Sequence, residues 1–434
     1  MIAANITAGH AQLERRSSSF GRRKRWSSDM TNNNGNLDYR NVHYESDTEY
    51  TIWIARTLLA PIGIWPLYKD DTFLNNVIKF LHVGIIFSLM CFLLIPNMIY
   101  TFHDCEDLSR YMNIFASQVF SLLGIAKFWS MILNGKQIRH FLVEVKNQYK
   151  DVACETDRLV MKKSAKIGRF FTIVYLSLSY GGGLPYHIVL PFMSERVVKS
   201  DNTTQIPLPY LSNYIFFVIE DTPIYEITFV SQMVISTIIM SSNTGVNTLI
   251  ANTVMHSYGL FEVVNQKIET FFEDGKDDLN DRLRHIVLHH LKAIEFADAI
   301  QKGLSIMFLA EIGGCTLIIC FLEYGVIMNW EDKHTFSMMT YFVLMTSGFV
   351  NVFIITFICG SLKQESERVG EALYFMPWYD LPRNVANNMK MIMLRTSRPS
   401  SLSAANIFDL SLQAFCDVCK SSAAYLNFLR TMAA

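Results

Sequence analysis

Long apolar runs alternate with short charged segments along this chain, and the alternation predicts most of the architecture. A helix that crosses a bilayer needs about 20 predominantly apolar residues. Seven stretches reach or approach that length: 76–101, 111–134, 168–193, 223–251, 304–328, 336–360 and 403–431. The fourth turns rich in Ser, Thr and Asn in its second half, and the seventh is the most polar. Residues 1–48 are polar and hold the basic cluster Arg15, Arg16, Arg22, Arg23, Lys24 and Arg25, which predicts a disordered cytoplasmic tail. Residues 50–68 are short, aromatic and interrupted by Pro61, Gly63 and Pro66, as suits a segment lying in the membrane interface.

Helical periodicity does not stop at the membrane. Through 252–303, apolar positions recur at helix spacing, first as Leu260, Val263, Val264, Ile268 and Phe271, then as Leu283, Ile286, Val287 and Leu291. A second unit, 362–399, runs from Leu362 to Phe375, passes Pro377-Trp378-Tyr379 and enters a short helix over 384–395 that Arg398-Pro399 ends. The expected fold class is all-α: a polytopic membrane protein with seven transmembrane helices over 76–431, a cytoplasmic N-terminus, an extracellular C-terminus and a cytoplasmic helical anchor bundle.

Composition agrees with that class. Half the residues are hydrophobic and 18% are charged, against about a quarter charged in soluble domains. The formal net charge is −1, which gives nucleic acid no electrostatic footprint to follow. Lys and Arg set the orientation. With the N-terminus inside, the inner connections hold the N-terminal cluster and the segments Lys136 to Arg169, Lys267 to Lys302 and Lys363 to Arg398. The outer ones hold only Arg110, Arg196, Lys199 and Lys333. Asn202-Thr203-Thr204 is a glycosylation sequon, and it falls in an outer connection on this scheme. The first apolar run begins too late for a cleaved signal peptide, and only Cys105 among eight cysteines sits in an outer connection, so no structural disulfide is expected.

The seventh stretch carries Asp409, Asp417 and Lys420, each costing about 2.5–3.5 kcal/mol at the centre of a membrane helix. At 100° per residue, Asp409, Gln413, Asp417, Lys420, Ala424, Asn427 and Thr431 fall within about 80° of one face. A polar stripe of that length needs water or protein polar groups beside it. Two arrangements supply them: copies of this helix from several subunits around a water-filled pore, or burial against other spans with no conduction.

The run Gly360-Ser361-Leu362-Lys363-Gln364-Glu365-Ser366-Glu367-Arg368-Val369, with Ala372, Tyr374, Trp378-Tyr379 and Pro382, resembles the sixth-span signature of insect odorant receptors. The final stretch, with Leu402-Ser403, Phe408, Phe415, Val418, Lys420, Ser421, Tyr425 and Leu429, is similar to that family's C-terminal motif. The resemblance covers the chain after residue 50. It implies a plasma-membrane receptor that assembles with a common co-receptor into a heteromeric, odorant-gated, non-selective cation channel, a tetramer. The co-receptor carries a long insertion between the fourth and fifth spans. Here that connection, His256 to Lys302, is compact, so the chain looks like an odorant-binding, tuning subunit. The resemblance makes 362–395 part of the inter-subunit anchor and lines the pore with the seventh span, from Asp417, Lys420, Ala424 and Asn427 to a gate near Phe428, Thr431 and Met432. Phe428 is bulkier than the small aliphatic residue common there.

Family members bind ligand in the outer half of the membrane domain, among the second, third, fourth and sixth spans. Those regions offer Phe115 and Val119; Tyr175, Ser179 and Tyr180; Tyr225, Phe229 and Met233; and Met338, Tyr341 and Phe342. An aromatic, Met-rich cavity with few polar groups suits a small volatile ligand. Gly181-Gly182-Gly183 and Pro185 are expected to loosen the third span and make room beside it.

Other signals are weaker. His285, His289 and His290 lack the Glu of a metalloprotease helix, and solvation or packing explains them better than zinc. Cys416 and Cys419 form a CxxC inside an apolar helix, where packing is the plainer role. The triple glycine lacks the strand of a nucleotide site, and no nucleophile, base and orienter group together, so neither an enzyme nor a cofactor or metal is expected. A gustatory-type channel would share the topology without the odorant-type tail motif. A G-protein-coupled receptor would have an outer N-terminus and Asp-Arg-Tyr after the third span, and a secondary transporter would show inverted repeats of broken helices.

Overall fold

The computed structural model describes residues 41–433 except 67–72, 104–107, 153, 195, 199–203, 215–221, 273–278 and 332–334. They lie in one compact unit, Arg40–Ala434. Residues 1–40 of the tail expected over 1–48, and the sequon at Asn202, fall outside the described residues.

Eleven helices are described: α1 (Tyr44–Leu59), α2 (Phe73–His103), α3 (Leu108–Leu133), α4 (Gly135–Lys150), α5 (Glu155–Leu184), α6 (Leu190–Met193), α7 (Ile224–Glu269), α8 (Leu279–Glu331), α9 (Thr335–Phe375), α10 (Arg383–Thr396) and α11 (Leu412–Ala433). A π-helical turn, Pro185–Val189, joins α5 to α6, and Trp378–Asp380 form a 3-10 turn before α10. The two-residue strands β1 (Val197–Val198) and β2 (Thr204–Gln205) pair antiparallel, as do β3 (Ser403–Ala404) and β4 (Phe408–Asp409). Among the described residues, α2, α3, α7, α8 and α9 are long and apolar enough to cross a membrane. The third and seventh spans, carried by α5 and α11, fall short because they hold glycines and polar residues where the others hold Leu, Ile and Phe.

Helix α7 is the axis of the bundle. From Ser242 to Ser257 every residue is buried, although more than half are Ser, Thr, Asn or His. Hydropathy is low there because the helix faces protein on all sides: Ser242, Asn243, Asn247 and His256 bond to neighbouring helices, and Thr244 and Thr253 bond back to carbonyls of α7 itself. Ser242 donates to the carbonyl of Gly124 at 3.2 Å and Asn243 to that of Phe120 at 3.1 Å. Small residues permit close approach: a Cβ on Gly245 would stand 2.6 Å from Leu59 of α1.

Helix α1 begins at Tyr44, inside the stretch assigned to the tail, because an acidic side chain fixes its first turn. Asp47, 3% exposed, accepts from Arg158 Nε of α5 at 2.6 Å and from Asn41 at 3.4 Å, with Lys162 3.5 Å away. Asn41 also donates to the carbonyl of Tyr149 at 2.9 Å, and Thr51 meets the Tyr149 hydroxyl at 3.1 Å. The Arg169 guanidinium lies over the Tyr50 and Trp53 rings. Residues 44–66 thus form a helix and turn locked onto α4, α5 and α7, with Trp65 buried and Trp53 at the surface.

The seventh helix starts later than its apolar pattern predicts. Residues 403–409 form the β3–β4 hairpin, and Ala405 and Asn406 take left-handed turn conformations, φ 49° and 58°, a region in which Asn is enriched. Gln301 of α8 clamps the hairpin, bonding to Ser403 N at 2.9 Å and Ser403 Oγ at 2.8 Å. Asp409 therefore leaves the helical stripe and pairs with Lys363 at 3.3 Å.

Burial raises the Asp47 carboxyl, but Arg158, Asn41 and Lys162 outweigh it and hold the group below the ordinary value of 3.8. A depressed folded-state value stabilises the fold above the unfolded value, and the contribution fades as pH falls through the folded one. Asp47→Asn is expected to cost about 2 kcal/mol at neutral pH. In thermal melts of detergent-solubilised protein, the gap to wild type should narrow once the pH drops below 3.8.

Candidate functional site

A cavity lies between α3, α5, α7, α8 and α9. Its apolar wall comes from Phe120 and Leu123 of α3, Met240 of α7, Ile318 and Leu322 of α8 and Leu344 of α9. Tyr175, Tyr186, Tyr210 and Tyr341 supply its aromatic surface. A separate apolar cluster of Ala116, Leu123, Ile318, Leu322 and Tyr341 backs one side.

Backbone irregularity in α5 shapes this space. The helix runs intact through Gly181–Gly183, and the irregularity follows at Pro185, which has no N–H to donate. The π turn carries Tyr186 and His187 to the cavity wall. The glycines work by close packing rather than by loosening the helix: a Cβ on Gly183 would stand 2.5 Å from Met240 Sδ, and one on Gly182 would stand 2.9 Å from Leu344.

A segment between the third and fourth spans closes one end. Gln232 of α7, fully buried, accepts from Tyr210 N at 3.0 Å and donates to Tyr210 O at 3.1 Å, as a neighbouring strand would. Asn97 of α2 donates to Leu211 O at 2.7 Å, and Asn213 N donates to Pro96 O at 3.0 Å. Residues 206–214 are thereby seated in the bundle as a plug, and Tyr210 reaches down to His187, hydroxyl to Nδ1 at 2.9 Å.

The opposite end of the cavity is ionic. Lys127 of α3 and Glu311 of α8, each 1% exposed, form a salt bridge. Lys127 also donates to Asn247 Oδ1 at 2.8 Å, and Asn247 Nδ2 lies 2.8 Å from Glu311, 3.0 Å from Asn351 Oδ1 and 3.2 Å from the Tyr175 hydroxyl. Asn351 donates to Glu311, and Cys315 Sγ lies 3.4 Å from it. Five helices converge on this one pair of charges.

Of the side chains that sequence points to, Tyr175, Ser179 and Tyr341 line the cavity. Val119 packs behind it, and Phe115 stacks edge-on against Phe321. Tyr180 bonds instead to Ser241 at 2.9 Å. Tyr225 donates to Ile206 O at 2.6 Å and joins Phe229 and Phe192 in an outer aromatic group. Met233, Met338 and Phe342 are not among the lining residues, and Phe342 is half exposed. Helix phase explains why these do not line the cavity: aromatic content marks a span without saying which face turns inward. Sequence reasoning missed Tyr186 and His187, which the π turn redirects, and Tyr210, which lies in a connection. It also missed Glu311, on a fifth span not considered for the site. A charged residue inside an apolar run was the available signal for Lys127 and Glu311.

Helix α11 packs on α8 and α9 through Phe415, Val418 and Ser422. Ser422 donates to Glu323 at 3.3 Å. Its other face, with Gln413, Asp417, Lys420, Ala424, Asn427, Phe428 and Thr431, is exposed in the single chain. Asp417 is held within the helix by Gln413 at 3.1 Å and Lys420 at 3.6 Å. Met432 lies in the last turn. Cys416 is exposed, and His290 is buried beside the Phe261 ring. Among the described residues, no group of His, Cys, Asp and Glu has metal-binding geometry.

Removing one partner of the buried pair leaves a lone charge in a low-dielectric interior. Lys127→Met and Glu311→Leu are each expected to destabilise the fold by about 3–5 kcal/mol, read as loss of monodisperse protein in detergent. The double variant should recover much of that loss.

The comparisons with known proteins fit this geometry. The family model described as 7tm Odorant receptor matches residues 107–423. Odorant receptor 13a of Drosophila melanogaster is 19% identical over 402 residues, covering 89% of this chain and 88% of that protein. Odorant receptor 22c of the same fly is 21% identical over 164 residues, 38% of this chain and 40% of that protein. The insect olfactory receptor OR5 from Machilis hrabei, solved in complex with eugenol, shares the fold, with a TM-score of 0.73, 14% identity and coverage of 90% of this chain and 99% of that one. On the strength of a family match running from the second span into the seventh, the chain belongs to the 7tm odorant receptor family: it is a seven-helix, all-α membrane receptor of olfaction and not an enzyme.

Proposed function

We propose that this chain is the odorant-binding subunit of a heteromeric, odorant-gated, non-selective cation channel in the plasma membrane, with its N-terminus in the cytoplasm. The observation that carries the reading is the polar face of α11. Asp417, Lys420, Asn427 and Thr431 stay exposed while the opposite face of the helix is packed. In a membrane such a face needs water or further subunits, and copies of α11 around an axis supply both. Phe428 and Thr431 lie near the outer end of that face, where a gate belongs, and Met432 follows them. The partner is the family's co-receptor, in a tetramer held below the membrane by 362–399. Met391 and Leu394 of α10 leave apolar surface exposed there.

The ligand is a small, mostly apolar volatile molecule seated in the cavity above the Lys127–Glu311 pair. An apolar, aromatic lining with a few fixed polar groups is the usual form of a small-molecule site, and the neighbour from Machilis hrabei was solved with eugenol. Ligand binding opens the channel to the extent that the open form binds it better. Helix α8 connects the two regions. It carries Ile318 and Leu322 in the cavity wall, Gln301 against the hairpin that precedes α11, and Glu323 against Ser422.

Two outcomes test this reading by recording from cells that express the chain with an insect co-receptor. Ala116→Leu shrinks the cavity and Leu344→Ala enlarges it. The chain length preferred among straight-chain C4–C10 alcohols should shorten in the first and lengthen in the second, with sensitivity changing about fourfold per methylene. Asp417→Ala and Thr431→Val should alter ion selectivity or pore block. Unchanged permeation in both would remove α11 from the pore.

A further inference from the structure

A second cavity, partly open to solvent, sits over the plug. Its walls are Pro207, Leu208, Pro209 and Leu211 of the plug, Asn97 of α2, Ile114 of α3, and Leu190, Pro191 and Ser194 from the end of the third span. Ser194 at its rim is exposed. Four residues line both this chamber and the deep cavity: Ser117, Tyr186, Tyr210 and Tyr341. The two spaces therefore share one wall, and that wall is made of three tyrosine rings and a serine.

The wall has three differently held leaves: Tyr210 fixed through backbone and hydroxyl, Tyr186 tied by its hydroxyl to Ser117, and Tyr341 held by ring contact alone. Gln232 holds the Tyr210 backbone by both its N–H and its carbonyl, His187 binds the Tyr210 hydroxyl, and the two rings stack 5.5 Å apart. Tyr186 stands on the π turn and meets Tyr210 and Tyr341 edge-on, with ring centroids 6.2 and 6.0 Å away. Tyr341, 8% exposed, has no hydrogen-bond partner for its hydroxyl among the described residues, and it lines both spaces. A tyrosine held by edge contacts alone can change rotamer without breaking a hydrogen bond. An unpaired hydroxyl on a boundary between two apolar spaces is a ready partner for a single ligand oxygen.

We propose that the second cavity is an antechamber through which ligand reaches the deep cavity, and that the Tyr186–Tyr210–Tyr341 wall is its inner door. The molecules it admits are small volatiles with one oxygen, such as alcohols and ketones. The Tyr341 hydroxyl bonds their oxygen as they pass. This rests on the deep cavity being the odorant site, but it adds a route, a door and a chemical class. A side chain on the route controls how fast ligand enters and leaves. It changes the equilibrium between free and deeply bound ligand far less, because both directions cross the same barrier.

The test uses the full chain with an insect co-receptor under rapid application of C4–C10 alcohols, ketones and n-alkanes. Ser194→Cys is first shown to respond normally and is then treated with a bulky methanethiosulfonate reagent, so that folding cannot explain any change. The unsubstituted receptor, treated alike, is the blank. The proposal expects modification to slow activation and deactivation together, each by about tenfold, with half-maximal concentration moved by less than about threefold. Leu208→Trp, which fills the same chamber from the plug, should do likewise. Unchanged rates after confirmed labelling would overturn the antechamber and direct attention to entry from the bilayer. Because Tyr341 lines the deep cavity as well as the door, Tyr341→Phe should reduce responses to alcohols and ketones about fivefold, the effect of one lost hydrogen bond, and spare n-alkanes. Equal loss for both classes would overturn the role of the hydroxyl. Ala116→Leu reports on the deep cavity alone. If it has no effect while the labelled Ser194→Cys receptor is slowed, the deep-site reading fails and the chamber stands as a site in its own right.

Discussion

A low-dielectric membrane interior offers no solvent to a charge, and Lys127 and Glu311 meet that constraint by facing each other. Neither would be tolerated there alone. Asn247, Asn351 and Tyr175 fill the remaining hydrogen-bonding positions, so four helices besides α3 are tied to one point. The same requirement accounts for α7. Its Ser, Thr and Asn residues would be costly against lipid, so the helix lies at the centre, where every neighbour is another helix. Around it, apolar side chains such as Phe80, Ile85, Phe170 and Ile227 face outward from α2, α5 and α7.

The cavity exists because that ionic point stands apart from the plug. One end of the bundle is drawn together by charges and amides, and the other is capped by a loop that Gln232 and Asn97 hold in strand-like fashion. Between them, aromatic and aliphatic side chains leave a gap that no backbone crosses. Proline at the head of the π turn and close-packed glycines before it bring α5 near α7 and α9 without filling the space. A cavity so placed shares its walls with the helices that support α11, and α8 reaches from one to the other.

Much of this was legible in the sequence. Apolar run length located α2 and α3 within a few residues, because a lipid-facing helix must be apolar over a fixed length, whereas α5, α7, α8 and α9 run more than a dozen residues past their apolar stretches. The tail motifs located the family. Face and register were harder to read. Tyr180 and Tyr341 look alike in composition, yet one bonds within the helix bundle and the other opens on the cavity. Asp409 extended a plausible helical stripe, but Asn406 supplied a turn that separates it from α11. The first helix was read as starting too late because Asp47 resembles tail polarity until Arg158, far along the chain, is placed beside it. Such pairings between distant residues have no local periodicity to announce them. Tyr210, held in a connection by Gln232, is of the same kind.

The central claim is that a ligand-filled cavity and an exposed polar helix belong to one machine, a channel gated directly by odorant. Whole-cell recording tests it most directly, with cells expressing this chain alone, an insect co-receptor alone, and both, while G-protein signalling is blocked and a panel of volatile alcohols, ketones and esters is applied. The account predicts a rapid, non-selective cation current in the cells that express both chains, larger in amplitude and different in ligand preference from the co-receptor alone. A response that the G-protein block abolishes, with both chains present at the cell surface, would contradict it.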